Sequence, residues 1–161
     1  MRNRKTPLRQ KSKSDLSQCK DRIQALLREI GLIRDGGCVL RYHPQAGECG
    51  GFRNDGELIL QAEHLNTRAA NVSYGDMRNI VILCKRHHFY FKQQYSRIYW
   101  DLIKKIIGPE RSAWLDKVEN DRGGHHMILY DWLKIEMFLT QELKNLKGDN
   151  SEVDVTVRVY N

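Results

Sequence analysis

The residues best equipped for chemistry cluster in two short stretches, Glu63-His64 and Asn79-Ile-Val-Ile-Leu-Cys84-Lys85-Arg86-His87-His88. Cys84 and His87 are separated by two residues, the knuckle spacing that lets neighbouring side chains reach one tetrahedral Zn²⁺. Cys38 and Cys49 can supply the other two ligands, although ten residues lie between them, and His43, which falls inside that interval, is an alternative to one of the cysteines. The plain competing reading is a set of buried thiols and a surface histidine. His88 directly follows a knuckle ligand, and two adjacent side chains do not comfortably serve one ion. It is therefore available to a second, harder cation such as Mg²⁺ or Mn²⁺, with the carboxylate of Glu63 as co-ligand. His64, at the end of an apolar run, suits a general base, because a neutral imidazole near pH 7 can take a proton from water. Asn79 can orient His64 through its backbone or its ring. Together these groups suit phosphodiester hydrolysis.

Elements that could hold such groups follow from periodicity. Residues 15–30 place Leu16, Cys19, Ile23, Leu26, Leu27 and Ile30 at helical spacing, with Ser14 as N-cap and Gly31 as the stop. Cys19 lies on the apolar stripe and reads as a small hydrophobe. From residue 32 to about 74 the helical period is lost and glycines accumulate, which predicts short strands and turns. Leu58-Ile59-Leu60 leads into Glu63-His64 as a strand, residues 71–76 read as a loop around Gly75, and Ile80-Val-Ile-Leu83 as a second strand before the knuckle and a helical turn. Downstream, helices are predicted over about 96–107, 110–120 behind Pro109, and 127–147 with Ile128, Trp132, Ile135, Phe138 and Leu139 on one side. The aromatics Tyr95, Tyr99, Trp100, Trp114 and Trp132 fit core packing better than base stacking. Residues 151–161 alternate like a strand that pairs with an edge or stays loose. The fold class is α+β, divided as a basic arm (1–14), a helix and turn (15–35), a core bearing the chemistry (36–95) and a helical extension (96–161).

At 161 residues the chain has room for one modest core. The net charge of +7 is concentrated: Arg2, Arg4, Lys5, Arg9, Lys11 and Lys13 sit in a stretch without acids, and the rest of the chain is close to neutral. Such an arm suits phosphate contacts, as do Lys85, Arg86 and Lys92; a solvated tail is the bland alternative. No run is apolar enough to span a bilayer and no apolar leader follows the basic N-terminus, so a cytoplasmic protein is expected. Gly123-Gly124-His125-His126 has no Cys or acidic neighbour at ligand spacing and reads as a loop or helix start.

The segments EHLN and NIVILCKRHHFYFK resemble the signature of HNH (ββα-metal) nucleases, an acid-His pair followed by Asn, an aliphatic run and a zinc knuckle, over about residues 38–92. The resemblance implies a zinc-stabilised ββα-metal core with His64 as base, Asn79 as the middle Asn, His88 and Glu63 as ligands of the catalytic Mg²⁺ or Mn²⁺, and Cys84 and His87 on the structural zinc. Glu63 stands where the family has Asp, and His87 where it has a second Cys. A looser likeness of the flanking segments, including IRDGGC and YSRIYWDLIKKIIGPERSAWL, is to the phage NinG (Rap) recombination proteins, which implies branched DNA as substrate. A resolvase cutting symmetric strands would work as a two-fold homodimer. The rival from another class is a zinc-stabilised nucleic-acid-binding protein without catalysis.

Overall fold

The computed structural model describes residues 14–66, 71–120 and 127–148, so the basic arm from Arg2 to Lys13, His125-His126 and the alternating tail lie outside the described residues. The architecture is α+β. Helix α1 (Asp15–Asp35) is followed by a 3₁₀ turn (Pro44–Ala46), strand β1 (Leu60–His64), a short helix α2 (Asn71–Tyr74) and a second 3₁₀ turn (Met77–Asn79). Strand β2 (Ile80–Cys84) then leads through a π-helical turn (Arg86–Phe91) into α3 (Lys92–Gln94), α4 (Ser96–Asn120) and α5 (Leu129–Lys147).

β1 and β2 form an antiparallel pair in which Glu63 faces Val81 and His64 faces Ile80. All five residues of β2 are buried, and alternation sends them to two cores. Val81 and Leu83 join Leu40, Phe91, Tyr99, Leu102 and Ile103. Ile80 joins Ile23, Leu27, Trp132 and Leu139, where α5 lies across α1. The continuous apolar run is thus a strand covered on both faces, each buried aliphatic side chain stabilising it by about 1.5–3 kcal/mol.

Three local expectations differ from the structure. Gly31 does not end α1; the helix runs on to Asp35 and is closed by Gly36 in the left-handed conformation. Gly31 is instead where the helix touches the sheet, since a Cβ there would lie 2.9 Å from Ile82 Cδ1 and 3.2 Å from Ile80 Cδ1. Residues 71–74 of the expected loop form one helical turn. Of the stripe expected along α5, Trp132 and Leu139 are buried, whereas Phe138 and the N-cap residue Ile128 are exposed. The break expected before Pro109 is present as a kink at Gly108 (φ 80°) within α4. Tyr99 and Trp132 are buried, Trp100 and Trp114 lie against the core, and Tyr95 is exposed. No helix among the described residues is long and apolar enough to cross a membrane.

Candidate metal centre and active site

Chain reversals bring the sulfur ligands together. After Gly36 and Gly37, both with positive φ, the Val39 N–H donates to Ile82 O at 2.9 Å. That bond sets Cys38 beside the end of β2. The 3₁₀ turn lies within the long Cys38–Cys49 interval, and the Arg86 N–H donates to Gly50 O at 3.1 Å, tying the Cys49 loop to the residues after Cys84. Glycine is needed at this contact: a Cβ on Gly51 (φ +89°) would lie 2.5 Å from Lys85 Cβ.

The result is a four-residue cluster of Cys38, Cys49, Cys84 and His87 whose ligand atoms all lie within 4.8 Å of one another. Zn–S bonds of about 2.3 Å place tetrahedral sulfurs roughly 3.8 Å apart, so the cluster has the dimensions of a zinc site. His87 Nδ1 lies 3.2 Å from Cys38 Sγ and 3.9 Å from Cys49 Sγ. His87 Nε2 lies 3.1 Å from Ala46 O. Donation of Nε2–H to that carbonyl leaves the Nδ1 lone pair turned toward the sulfurs, the second partner that orients metal-ligating histidines. A bond from the Cys38 thiol, opposed by burial and aided by His87, holds the Cys84 thiol down to about 3. His43, the alternative ligand, is outside the cluster and precedes the 3₁₀ turn.

His87 and His88 diverge within the π-helical turn, His87 entering the cluster and His88 reaching β1. His88 Nε2 pairs with Glu63 Oε2, and Lys92, one helical turn on, pairs with Glu63 Oε1. His88 Nδ1 lies 2.7 Å from Gln61 Oε1. If Nδ1–H donates to Gln61, the other ring nitrogen meets a carboxylate oxygen, an arrangement that calls for a proton or a metal cation between them. Glu63 is buried, and although burial opposes ionisation, the bonds and charges of His88 and Lys92 hold its carboxyl below the usual range.

His64 is next to Glu63 on the strand and so projects to the opposite side. Its Nε2 lies 3.3 Å from Gln24 Nε2 on α1 and 3.3 Å from Tyr74 O. Asn79, fully buried, acts through the backbone: its Oδ1 accepts from Asn66 N at 2.7 Å and its Nδ2 donates to Ser73 O at 3.0 Å. It clamps the chain leaving His64 to the turn that presents Tyr74 O. Asn79→Ala strands these buried partners and is expected to cost about 2–3 kcal/mol, measured by urea unfolding of zinc-loaded protein; an unchanged midpoint would remove the clamp.

The structure therefore brings Cys38, Cys49, Cys84 and His87 together, and Glu63 together with His88, while setting His64 on the α1 side of β1. Lys85 and Arg86 are exposed. Lys92, grouped with them as a phosphate contact, is engaged internally by Glu63, and its Nζ lies 5.8 Å from the Tyr99 ring centre. Sequence reasoning missed Gln61 and the Lys92–Glu63 pair, for which signals existed: Gln61 shares a strand face with Glu63 and Lys92 shares a helix face with His88. Gln24, remote in sequence, carried none. No protein-family model, curated protein or solved structure matches the chain.

Proposed function

We propose that the chain is a metal-dependent DNA endonuclease with an HNH-type ββα-metal core, stabilised by zinc at Cys38, Cys49, Cys84 and His87. The observation that carries this reading is the divergence of two consecutive histidines, His87 into the sulfur cluster and His88 onto the buried Glu63 carboxylate of the antiparallel partner strand. A zinc knot at one end of such a pair would fix the position of the other. Glu63 and His88 would hold Mg²⁺ or Mn²⁺, which supplies positive charge for the phosphate and the departing 3′ oxygen. The chain's own contribution is orientation and proton transfer. Gln61 holds the His88 ring, the Tyr74 carbonyl holds the His64 ring by accepting from Nε2–H, and the His64 imidazole takes a proton from the attacking water as the P–O3′ bond breaks.

The test is conversion of supercoiled plasmid to nicked and linear forms by zinc-loaded protein, expected only when Mg²⁺ or Mn²⁺ is added. DNA that is bound at low salt yet left intact with either ion would overturn the reading. A panel of duplex, flap and four-way-junction substrates tests the branched-DNA preference implied by the likeness to NinG proteins, and sedimentation with and without junction DNA tests the homodimer. One observation favours the non-catalytic rival: Lys92 and His88 together engage both oxygens of Glu63, which satisfies the carboxylate without a metal ion.

A further inference from the structure

The proposed active site is divided by the strand that carries it, with Glu63 and His88 on one side and His64 on the other. β1 pairs only with β2 in a two-stranded sheet among the described residues. Along that region runs an open groove of about 420 Å³, lined by Gln24 and Arg28 of α1, by Arg53, and by residues 59–62 of the strand segment. Two of these side chains lead directly into the site. Gln24 lies 3.3 Å from His64 Nε2, and Gln61 lies 2.7 Å from His88 Nδ1.

The charge of the groove has one sign, since two arginines and no carboxylate line it. Arg28 is exposed and donates Nε–H to Leu60 O at 3.3 Å. That bond anchors the guanidinium to the strand while its terminal amino groups retain their donors, and no carboxylate pairs with it among the described residues. Arg53 has a solvent-exposed partner, Glu57, at 3.4 Å, a contact too screened to compete strongly with a phosphate. Ile59, Leu60 and Ala62 add apolar surface to the lining. Paired planar donors, a single screened acid and an apolar part of the lining suit a sugar-phosphate backbone, with guanidinium forks on the phosphates and aliphatic surface against the sugars.

The geometry points to this groove as the track of one DNA strand, with Arg28 and Arg53 binding phosphates next to the scissile one. The inference rests on the nuclease reading and extends it, because these arginines are distinct from the basic arm and from Lys85 and Arg86. It also gives Gln24 and Gln61 a shared place, each bridging the groove wall to one histidine.

The test uses full-length zinc-loaded protein and a short fluorescein-labelled duplex, with Ca²⁺ replacing Mg²⁺ so that binding is read without cleavage. Arg28→Ala and Arg53→Ala are compared with Arg28→Lys and with Lys134→Ala on the exposed face of α5, each checked for zinc content and melting temperature. Loss of both arginines is expected to raise Kd by about 100-fold, roughly tenfold each. The slope of log K against log salt should become shallower by about 2, nearly one for each phosphate no longer neutralised. Arg28→Lys keeps the slope. If wild type binds and cleaves while the double variant matches Lys134→Ala in both Kd and slope, the groove is overturned and the nuclease reading stands. If wild type binds without cleaving and the double variant still loses affinity and slope, the groove stands as a DNA track and the nuclease reading falls. Wild type that neither binds nor cleaves overturns both.

Discussion

Removing zinc is expected to unfold the half of the protein built on β2. Cys38, Cys84 and His87 are buried, the Cys84–His87 knuckle meets Cys38 only in the folded chain, and the partly buried Cys49 completes the set. Apparent zinc-binding energies of about 10–16 kcal/mol for structural sites match or exceed the whole stability of an ordinary domain, about 5–15 kcal/mol. Metal analysis should find one zinc per chain. Cys84→Ala and His87→Ala should lose it and melt more than about 10 °C lower, since each kcal/mol moves a domain of this size by roughly 2–4 °C. His87→Cys, which restores a four-sulfur set, should retain zinc. Cys19→Ala is the control: this cysteine is equally buried but lies 3.2 Å from Glu136 on α5, away from the cluster. Superimposable melts of the metal-free and metal-loaded protein would remove the zinc assignment.

The second large effect concerns the two histidines to which the proposed function gives the reaction. His64→Ala should lower the rate of plasmid nicking by about 10²–10⁴, the usual contribution of a positioned general base, without altering zinc content. His88→Ala should cause a comparable loss and also raise the Mg²⁺ or Mn²⁺ concentration needed for half-maximal rate, because on the proposed reading it removes a metal ligand rather than a base. Glu63 separates electrostatics from structure. Glu63→Asp keeps the charge and should retain metal-dependent cleavage within about tenfold. Glu63→Gln leaves His88 and Lys92 without their carboxylate, and should lose both activity and stability. Equal nicking by wild type, His64→Ala and His88→Ala would show that the activity comes from elsewhere.

Local order carried much of this site. The two-residue step from Cys84 to His87, the apolar run of β2 and the stripe on α1 are short-range patterns whose period has a direct geometric meaning, and each corresponds to an element of the structure. Alternation along a strand also implies that Glu63 and His64 project to opposite sides. The choice of Cys49 over His43 was not open to such reasoning, because it depends on how a 3₁₀ turn and the Gly50 contact fold an eleven-residue step back onto β2. Gly31 looked like a helix stop because glycine serves both for left-handed turns and for close approach; only the position of Ile82 distinguishes the two uses. The same holds for Gln24 against His64, Lys92 against Glu63, and Arg28 beside Arg53. Chain order specifies which side chains share a face, whereas the packing of faces against one another decides which charges and lone pairs meet.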